Sequence, residues 1–214
     1  SYQWQRSSDE LTWNDITDQT AQNYVLGDND VDHYIRVKAS YTDGHDTEET
    51  IISKSTSLIH NENDAPTGEV VLSAYSGATI AEDQTLSVSF DGLNDADGLG
   101  AISVQWQSHD SSGIWKDIFG ATLNDITLGD NEVGHSLRAV ASYIDGQGAF
   151  EQVASASTVP VANVNDVPVG LPVIEGTVSE NATIKANTSG ITDKDGIPDL
   201  DNGAFKIDPF SYQW

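Results

Sequence analysis

The stretch HYIRVKASYTDG at residues 33–44 returns 102 residues later as HSLRAVASYIDG at residues 135–146. Both copies alternate apolar and polar side chains, which is typical of an antiparallel β-strand with one buried face. Around them, residues 1–68 align with residues 103–170 without a gap, and 29 of the 68 pairs are identical. Identity of this extent at one constant offset indicates an internal repeat.

A second alignment covers the other part of the repeating unit. ATIAEDQTL at residues 78–86 resembles GTVSENATI at 176–184, and GLNDADG at 92–98 resembles GITDKDG at 190–196. Together the two alignments define one unit that runs from residue 66 to residue 169.

The chain is therefore expected to hold one whole unit and two pieces. Residues 1–65 are interpreted as the back part of a truncated repeat, 66–169 as a complete repeat, and 170–214 as the front part of a further repeat. We expect that 170–214 can complement 1–65, within one molecule or by strand exchange between two molecules.

The central unit carries seven short β-type runs separated by turn-rich segments such as DGLNDADGLG and IDGQG. The predicted strands cover residues 69–74, 85–90, 102–107, 113–118, 123–128, 136–143 and 149–158. About seven strands in about 100 residues are typical of an immunoglobulin-like sandwich. The sequence thus predicts an all-β chain of tandem antiparallel β-sandwiches.

Charge and composition exclude several classes of function. The chain has 34 acidic and 9 basic residues, so its net charge is −25 and it would be repelled by nucleic acid and by anionic membranes. It has no cysteine, which excludes disulfides and thiolate metal sites. No apolar run is long enough to insert into a membrane. None of the common catalytic motifs occurs, so we do not expect an enzyme.

The acidic residues recur at fixed places in the repeat, in predicted loops and in the linkers between units. In an immunoglobulin-like topology, the loops at one end of a unit meet the linker that arrives there. The oxygen-bearing residues predicted for the first boundary are Asn61, Asn63, Asp64, Asp95, Asp97 and Asp145. Those for the second boundary are Glu82, Asp130, Glu132, Asn163, Asn165, Asp166, Asp193 and Asp195. Asp28 and Asp30 are the counterparts of Asp130 and Glu132, and Glu180 is the counterpart of Glu82.

Ca²⁺ prefers six to eight oxygen ligands, which carboxylates, asparagine side chains and backbone carbonyls supply. Three segments at each boundary would bring such oxygens together, so the pattern predicts Ca²⁺ there. The other interpretation is that the acids serve only as surface charge for solubility.

The set of Glu82, the acidic loop 130–132, the linker 163–166 and the pair Asp193 and Asp195 resembles the calcium sites between cadherin repeats. The motifs NDAPTG, AEDQTL, DADGLG and SYQWQ also resemble the tandem repeats of large secreted bacterial adhesins of the RTX type. This resemblance implies an extracellular, cadherin-like cell-surface segment for adhesion and biofilm formation. Neighbouring repeats would be its partners, and Ca²⁺ would make the array rigid.

The stretch DKDGIPDLDN at residues 193–202 resembles the calcium-binding pattern of thrombospondin-type repeats. The resemblance implies a further Ca²⁺ held by Asp199 or Asp201. A solvated acidic loop is the other interpretation.

Tryptophan recurs at two positions of the repeat. Trp4, Trp106 and Trp214 lie in the third strand and are predicted to anchor the core. Trp13 and Trp115 lie in the next strand, where two interpretations stay open: packing, or a platform on which surface glycans stack. The second would make the chain a polysaccharide-binding module, with Asp15 and Asp117 bonding to sugar.

Overall fold

The computed structural model describes residues 1–73, 79–197, 210 and 213. In these residues the fold is all-β, with two 3₁₀ turns and no α-helix. The strands are β1 (Tyr2–Ser7), β2 (Asn14–Asp15), β3 (Tyr34–Thr42), β4 (Glu48–Ile52), β5 (Val71–Ser73), β6 (Thr85–Ser89), β7 (Ser103–His109), β8 (Lys116–Asp117), β9 (Asp125–Thr127), β10 (Ser136–Ile144), β11 (Phe150–Ala154), β12 (Val173–Gly176) and β13 (Ile184–Asn187).

The expectation of an all-β chain is confirmed. Each of the seven strands predicted for the central unit is present, as β5 to β11, although β8 has two residues where six were predicted. No helix in the described part of the chain is long and apolar enough to cross a membrane.

The same order of elements occurs twice. Strands β1 to β4 return 102 residues later as β7, β8, β10 and β11, and the 3₁₀ turn Asp28–Asp30 returns as Asp130–Glu132. The two four-stranded antiparallel sheets have matching orders, β2-β1-β3-β4 and β8-β7-β10-β11. Side-chain contacts repeat as well, since Arg36 donates to Gln5 at 2.7 Å and Arg138 donates to Gln107 at 2.8 Å.

Two smaller antiparallel sheets complete the described strands. Strands β5, β6 and β9 form one sheet, in which Leu86 of β6 lies opposite Ile126 of β9. Strands β12 and β13 form a hairpin, with Val173 opposite Asn187.

Most of the buried apolar side chains in the described part of the chain lie between Val70 and Val161. Trp106, Leu86 and Leu137 are fully buried, and the indole of Trp106 donates to the carbonyl of Leu123 at 2.9 Å. Burial of such side chains stabilises a fold by about 1.5–3 kcal/mol each. Trp106 is therefore a core anchor, whereas Trp4 is only half-buried and Trp214 lies outside the described residues.

By its internal contacts the chain divides into two compact units, which differ from the sequence repeats. Each compact unit contains one of the two linkers, which are residues 61–67 (the first linker) and 163–169 (the second linker). Unit 1 consists of Ser1–Gly68, Gly92–Ser103 and Ser142–Val153. Unit 2 consists of Glu69–Asp91, Val104–Ala141 and Ala154–Trp214. The repeat boundaries at 1–65, 66–169 and 170–214 stay a prediction.

Candidate metal centres

Each linker is joined to the following Asp-X-Asp loop by a pair of backbone hydrogen bonds. Thr67 and Asn94 exchange bonds of 2.7 and 2.8 Å, and Val169 and Thr192 do the same. The next residue must be glycine, because Gly68 has φ +88° and a Cβ there would lie 1.8 Å from the carbonyl oxygen of Gly92. Glycine is the residue that tolerates this conformation and so close an approach of two backbones.

The Asp-X-Asp loops have the same geometry at both linkers. The Asp97 amide donates to Asp95 at 2.9 Å, and Asp97 Oδ2 accepts the amide of Asp64 at 2.7 Å. At the second linker, Asp195 Oδ2 accepts the amide of Asp166 at 2.7 Å. The second aspartate of each loop thus holds the linker backbone close to the first aspartate of the same loop.

Asp95, Asp97 and Asp145 form the first cluster of carboxylates. Each offers an oxygen within 4.8 Å of the others. Asp145 is only 6% exposed, and its Oδ1 accepts the amides of Gln147 and Ala149 at 2.9 and 2.8 Å. Its Oδ2 is buried without a hydrogen-bond partner. A buried polar atom left unpaired costs about 1–3 kcal/mol, and more when it is charged, so this oxygen indicates a missing partner.

Negative charge accumulates around the first cluster. The charge of Asp28 is the main reason why the pKa of Asp64 is raised, and burial, Asp97 and Asp95 add to the effect. Tyr143 donates its hydroxyl to Asp95 at 2.6 Å, and burial together with this bond raises the pKa of Tyr143. The phenol therefore stays protonated and supplies a donor rather than a further charge.

A cleft of about 450 Å³ lies next to the first linker. Its lining includes Asp28, Asn61, Asn63 and Asp64. The amide nitrogen of Asn63 donates to Glu151 at 2.8 Å. The linker residues thus line the same cleft as Asp28.

Glu82, Asp130 and Asp166 form the second cluster, again with oxygens within 4.8 Å of one another. Glu82 is 3% exposed and accepts the amide of Val164. That bond lowers the pKa of Glu82, but burial and the neighbouring carboxylates of Asp130 and Asp166 outweigh it, so the net pKa of Glu82 is raised. Three carboxylates this close repel one another unless a proton or a cation joins them.

Two other predicted ligands have partners within the protein. Asp30 is 1% exposed and its carboxylate accepts from Tyr24, Gly27 and Arg6. Burial, with the hydrogen bond to Asp30, raises the pKa of Tyr24 to about 12. Glu132 Oε2 accepts the amide of Gly129 at 3.0 Å. Both residues close their 3₁₀ turns and are not among the carboxylates that converge within 4.8 Å in the described chain.

The remaining predicted ligands are more dispersed. Asn163, Asn165 and Glu180 are exposed, and the side chain of Asn165 donates to the carbonyl of Asp166 at 2.9 Å. Asp193 accepts the amide of Asp195 at 3.0 Å within its loop. Asp199 and Asp201 lie outside the described residues.

Trp13 and Trp115 are half-buried, and one face of each ring is already in contact with an arginine. The guanidinium of Arg36 lies 4.2 Å from the Trp13 centroid, and that of Arg138 lies 4.3 Å from the Trp115 centroid. His109 also packs against Trp115, at 4.3 Å between the ring centroids. A cation over an indole face stabilises the pair by about 0.5–1 kcal/mol at exposed sites.

Sequence reasoning missed three residues near the clusters. The hydroxyl of Tyr143 bonds to a cluster acid. Glu151 bonds to the linker, and Lys194 lies 3.3 Å from Asp166. Tyrosine and lysine carry no metal signal, and Glu151 stands in a predicted strand rather than in an acidic loop, so only the fold reveals these positions.

The donor set of both clusters is made of carboxylate oxygens, which suits a hard divalent cation and not a soft transition metal. The unpaired oxygen of Asp145 fits such an ion as its missing partner. The chain matches no known protein-family model and no characterised protein.

Proposed function

We propose that this chain is a calcium-stabilised extender segment of a large bacterial cell-surface adhesin. In this proposal the segment consists of tandem immunoglobulin-like sandwiches, and Ca²⁺ at the linkers holds neighbouring repeats in a fixed orientation. The chain catalyses no reaction.

One observation carries the calcium proposal. Asp145 Oδ2 is buried and unpaired, and the Asp145 carboxylate has an oxygen within 4.8 Å of oxygens of Asp95 and Asp97. Burying a charged oxygen without a partner is unfavourable, whereas a cation bound by three carboxylates would compensate for the lost hydration.

The structural effect of the ion follows from which segments supply its ligands. The Asp64 amide is bonded to Asp97, so this hydrogen bond already joins the linker to the loop of the first cluster. Without metal, the clustered carboxylates repel and favour separation of these segments. With Ca²⁺ bound, separating them requires release of the ion, so binding stabilises the linked arrangement.

The placement on a bacterial surface rests on the resemblance to RTX-type adhesin repeats. Extracellular modules commonly bind Ca²⁺ with a Kd of about 10⁻⁴–10⁻³ M. Sites of this strength would be filled outside the cell, which suits an adhesion or biofilm role. Surface glycans and strand-exchanged copies of the chain remain proposed partners, but the arginines on Trp13 and Trp115 occupy one stacking face of each ring and give the glycan alternative less support.

The test is a Ca²⁺ titration by calorimetry, paired with thermal melting in Ca²⁺, in Mg²⁺ and in chelator. We expect about 10 mM Ca²⁺ to stabilise the chain by about 1.5–3 kcal/mol per site. Mg²⁺ should have a smaller effect, because it demands near-ideal octahedral geometry and gives up its water reluctantly.

Asp145→Asn and Asp43→Asn make a matched pair for this test. Asp43 occupies the equivalent turn and accepts the amides of His45 and Thr47 at 2.8 and 2.9 Å, but it belongs to neither cluster. Asparagine retains an oxygen for those amides in both variants. Asp145→Asn should weaken Ca²⁺ binding at least tenfold and Asp43→Asn should leave it unchanged; equal titrations for the two variants would refute the site.

A further inference from the structure

The two clusters differ at the residue enclosed by the two aspartates of the loop. The first loop has Ala96 between Asp95 and Asp97, and the second has Lys194 between Asp193 and Asp195. The alanine side chain carries no charge, whereas the lysine ammonium lies 3.3 Å from Asp166 Oδ1. The second cluster thus contains a cation of its own among the carboxylates.

Lys194 bonds directly to an acid of the second cluster. Its ammonium donates to Asp166 Oδ1 at 3.3 Å. The side chain is 67% exposed, so the ammonium is held mainly by this contact and less by packing. An exposed pair of this kind can be separated at small cost.

We propose that Lys194 is a built-in competitor that lowers the Ca²⁺ affinity of the Glu82, Asp130 and Asp166 cluster, so the two linkers take up Ca²⁺ at different concentrations. This inference rests on the proposed function, since it assumes that both clusters bind Ca²⁺. The first linker then fills at low Ca²⁺, and the second fills only as Ca²⁺ rises.

The size of the effect follows from charge and distance. A Ca²⁺ ion bound to Asp166 would lie about 5–6 Å from a lysine ammonium that stays on the same carboxylate. In water, the repulsion between charges of +1 and +2 at that distance corresponds to about a tenfold loss of Ca²⁺ affinity. This is an upper value, because the exposed lysine can move away when the ion binds.

The experiment measures the Ca²⁺ affinity of one cluster at a time, by calorimetry on the full chain. In an Asp145→Asn background, where the first cluster is disabled, Lys194→Ala is compared with Lys185→Ala. Lys185 is exposed in β13, so its removal changes the net charge equally without touching the cluster. We expect about five- to tenfold tighter binding for Lys194→Ala, less than twofold for Lys185→Ala, and no change for Lys194→Arg, which keeps the charge.

The reciprocal experiment moves the lysine. In a Glu82→Gln background, where the second cluster is disabled, Ala96→Lys should weaken the first cluster by about five- to tenfold. Ala156→Lys adds the same charge at an exposed position outside both clusters and should have little effect.

The outcomes separate this inference from the proposed function. If the unaltered chain binds no Ca²⁺, both are overturned. If it binds Ca²⁺ but Lys194→Ala and Lys185→Ala titrate alike, only the role of Lys194 is overturned. The inference is also overturned if Lys194→Arg tightens binding as much as Lys194→Ala.

Discussion

The two clusters lie beside the same backbone frame, which consists of a linker glycine and the hydrogen bonds that join each linker to the following Asp-X-Asp loop. They differ in how their negative charge is compensated. In both, a linker aspartate amide bonds to the second aspartate of the loop at 2.7 Å. In the first cluster an oxygen of Asp145 is buried without a partner. In the second, Glu82 accepts a backbone amide and Lys194 bonds to Asp166.

This difference teaches that the backbone frame and the charge balance are separate features of the repeat. The frame depends on glycine and on backbone bonds, so it is the same at both linkers. The charge balance depends on single side chains, since the two clusters take their acids from different places in the repeat and the equivalent loop positions carry Ala96 and Lys194. The first cluster therefore needs an outside cation more than the second, and the following predictions probe that contrast.

The largest effect is expected from breaking the frame. Gly68→Ala places a Cβ 1.8 Å from the Gly92 carbonyl oxygen at φ +88°, and Gly170→Ala places one 2.1 Å from that of Gly190 at φ +102°. In each variant, backbone strain and steric overlap together should reduce the free energy of unfolding by about 3 kcal/mol. The measurement is urea unfolding with Ca²⁺ calorimetry.

The frame prediction also states that each glycine affects its own cluster. Gly68→Ala should weaken binding at the first cluster and Gly170→Ala at the second. Gly44→Ala is the control, because a Cβ there meets nothing within 4 Å and its stability should stay within about 0.5 kcal/mol. Loss of both binding events in either variant would contradict independent frames.

A smaller effect is expected from neutralising the unpaired oxygen in the absence of metal. Asp145→Asn replaces a buried charge by an amide that can donate to the neighbouring acids Asp95 or Asp97. It should stabilise the metal-free chain by about 1–2 kcal/mol, because the unsatisfied charge is removed. In saturating Ca²⁺ this advantage should shrink by at least about 1.4 kcal/mol, because a tenfold loss of Ca²⁺ affinity removes that much stabilisation.

Thermal melting in metal-free buffer and in saturating Ca²⁺ measures how far this advantage declines. Asp43→Asn should show no Ca²⁺-dependent decline, since its carboxylate is outside the clusters. Destabilisation by Asp145→Asn in both buffers would mean that its carboxylate serves only the turn.

Stability should depend on pH in opposite directions with and without Ca²⁺. The pKa of Asp64 is raised mainly by Asp28, and that of Glu82 is raised by burial and its acidic neighbours despite the Val164 bond. Between their ordinary values of 3.8 and 4.5 and the raised values, the folded metal-free chain binds more protons than the unfolded chain. Its stability therefore increases as pH falls through the raised pKa values and is lost as pH rises.

With Ca²⁺ bound, protons compete with the ion, so stability should decrease over the same interval. The measurement is the melting temperature from pH 7 to about pH 4.5 in metal-free and Ca²⁺ buffers. Asp9, whose pKa is lowered to about 2 chiefly by the Thr12 and Leu11 amides, contributes only below this interval. Glu82→Gln should reduce the slope, and parallel curves in the two buffers would exclude proton and metal competition.

The sequence predicted the strands and the acidic loops because both recur. The alternation in SLRAVASY and the turns around it locate β10, and the repeat places Asp95, Asp97 and Asp145 near a linker. The unpaired oxygen of Asp145 was not predictable, since Asp43 occupies the same motif and has the same turn bonds. The roles of Asp30 and Glu132 were not predictable either, because an acid that closes a 3₁₀ turn has the same sequence pattern as a metal ligand.

The smallest effect is expected from removing one hydroxyl beside the first cluster. Tyr143→Phe deletes the 2.6 Å bond to Asp95 but keeps the buried ring, whereas Tyr41→Phe changes the equivalent tyrosine, which is 52% exposed. We expect Tyr143→Phe to reduce the free energy of unfolding by about 1 kcal/mol and Ca²⁺ affinity by up to about tenfold, because a positioning partner of a ligand is lost. Calorimetry of both variants measures this. If Tyr143→Phe lowers stability and leaves Ca²⁺ affinity unchanged, the tyrosine only packs the core, and Asp95 does not need its donor to hold an ion.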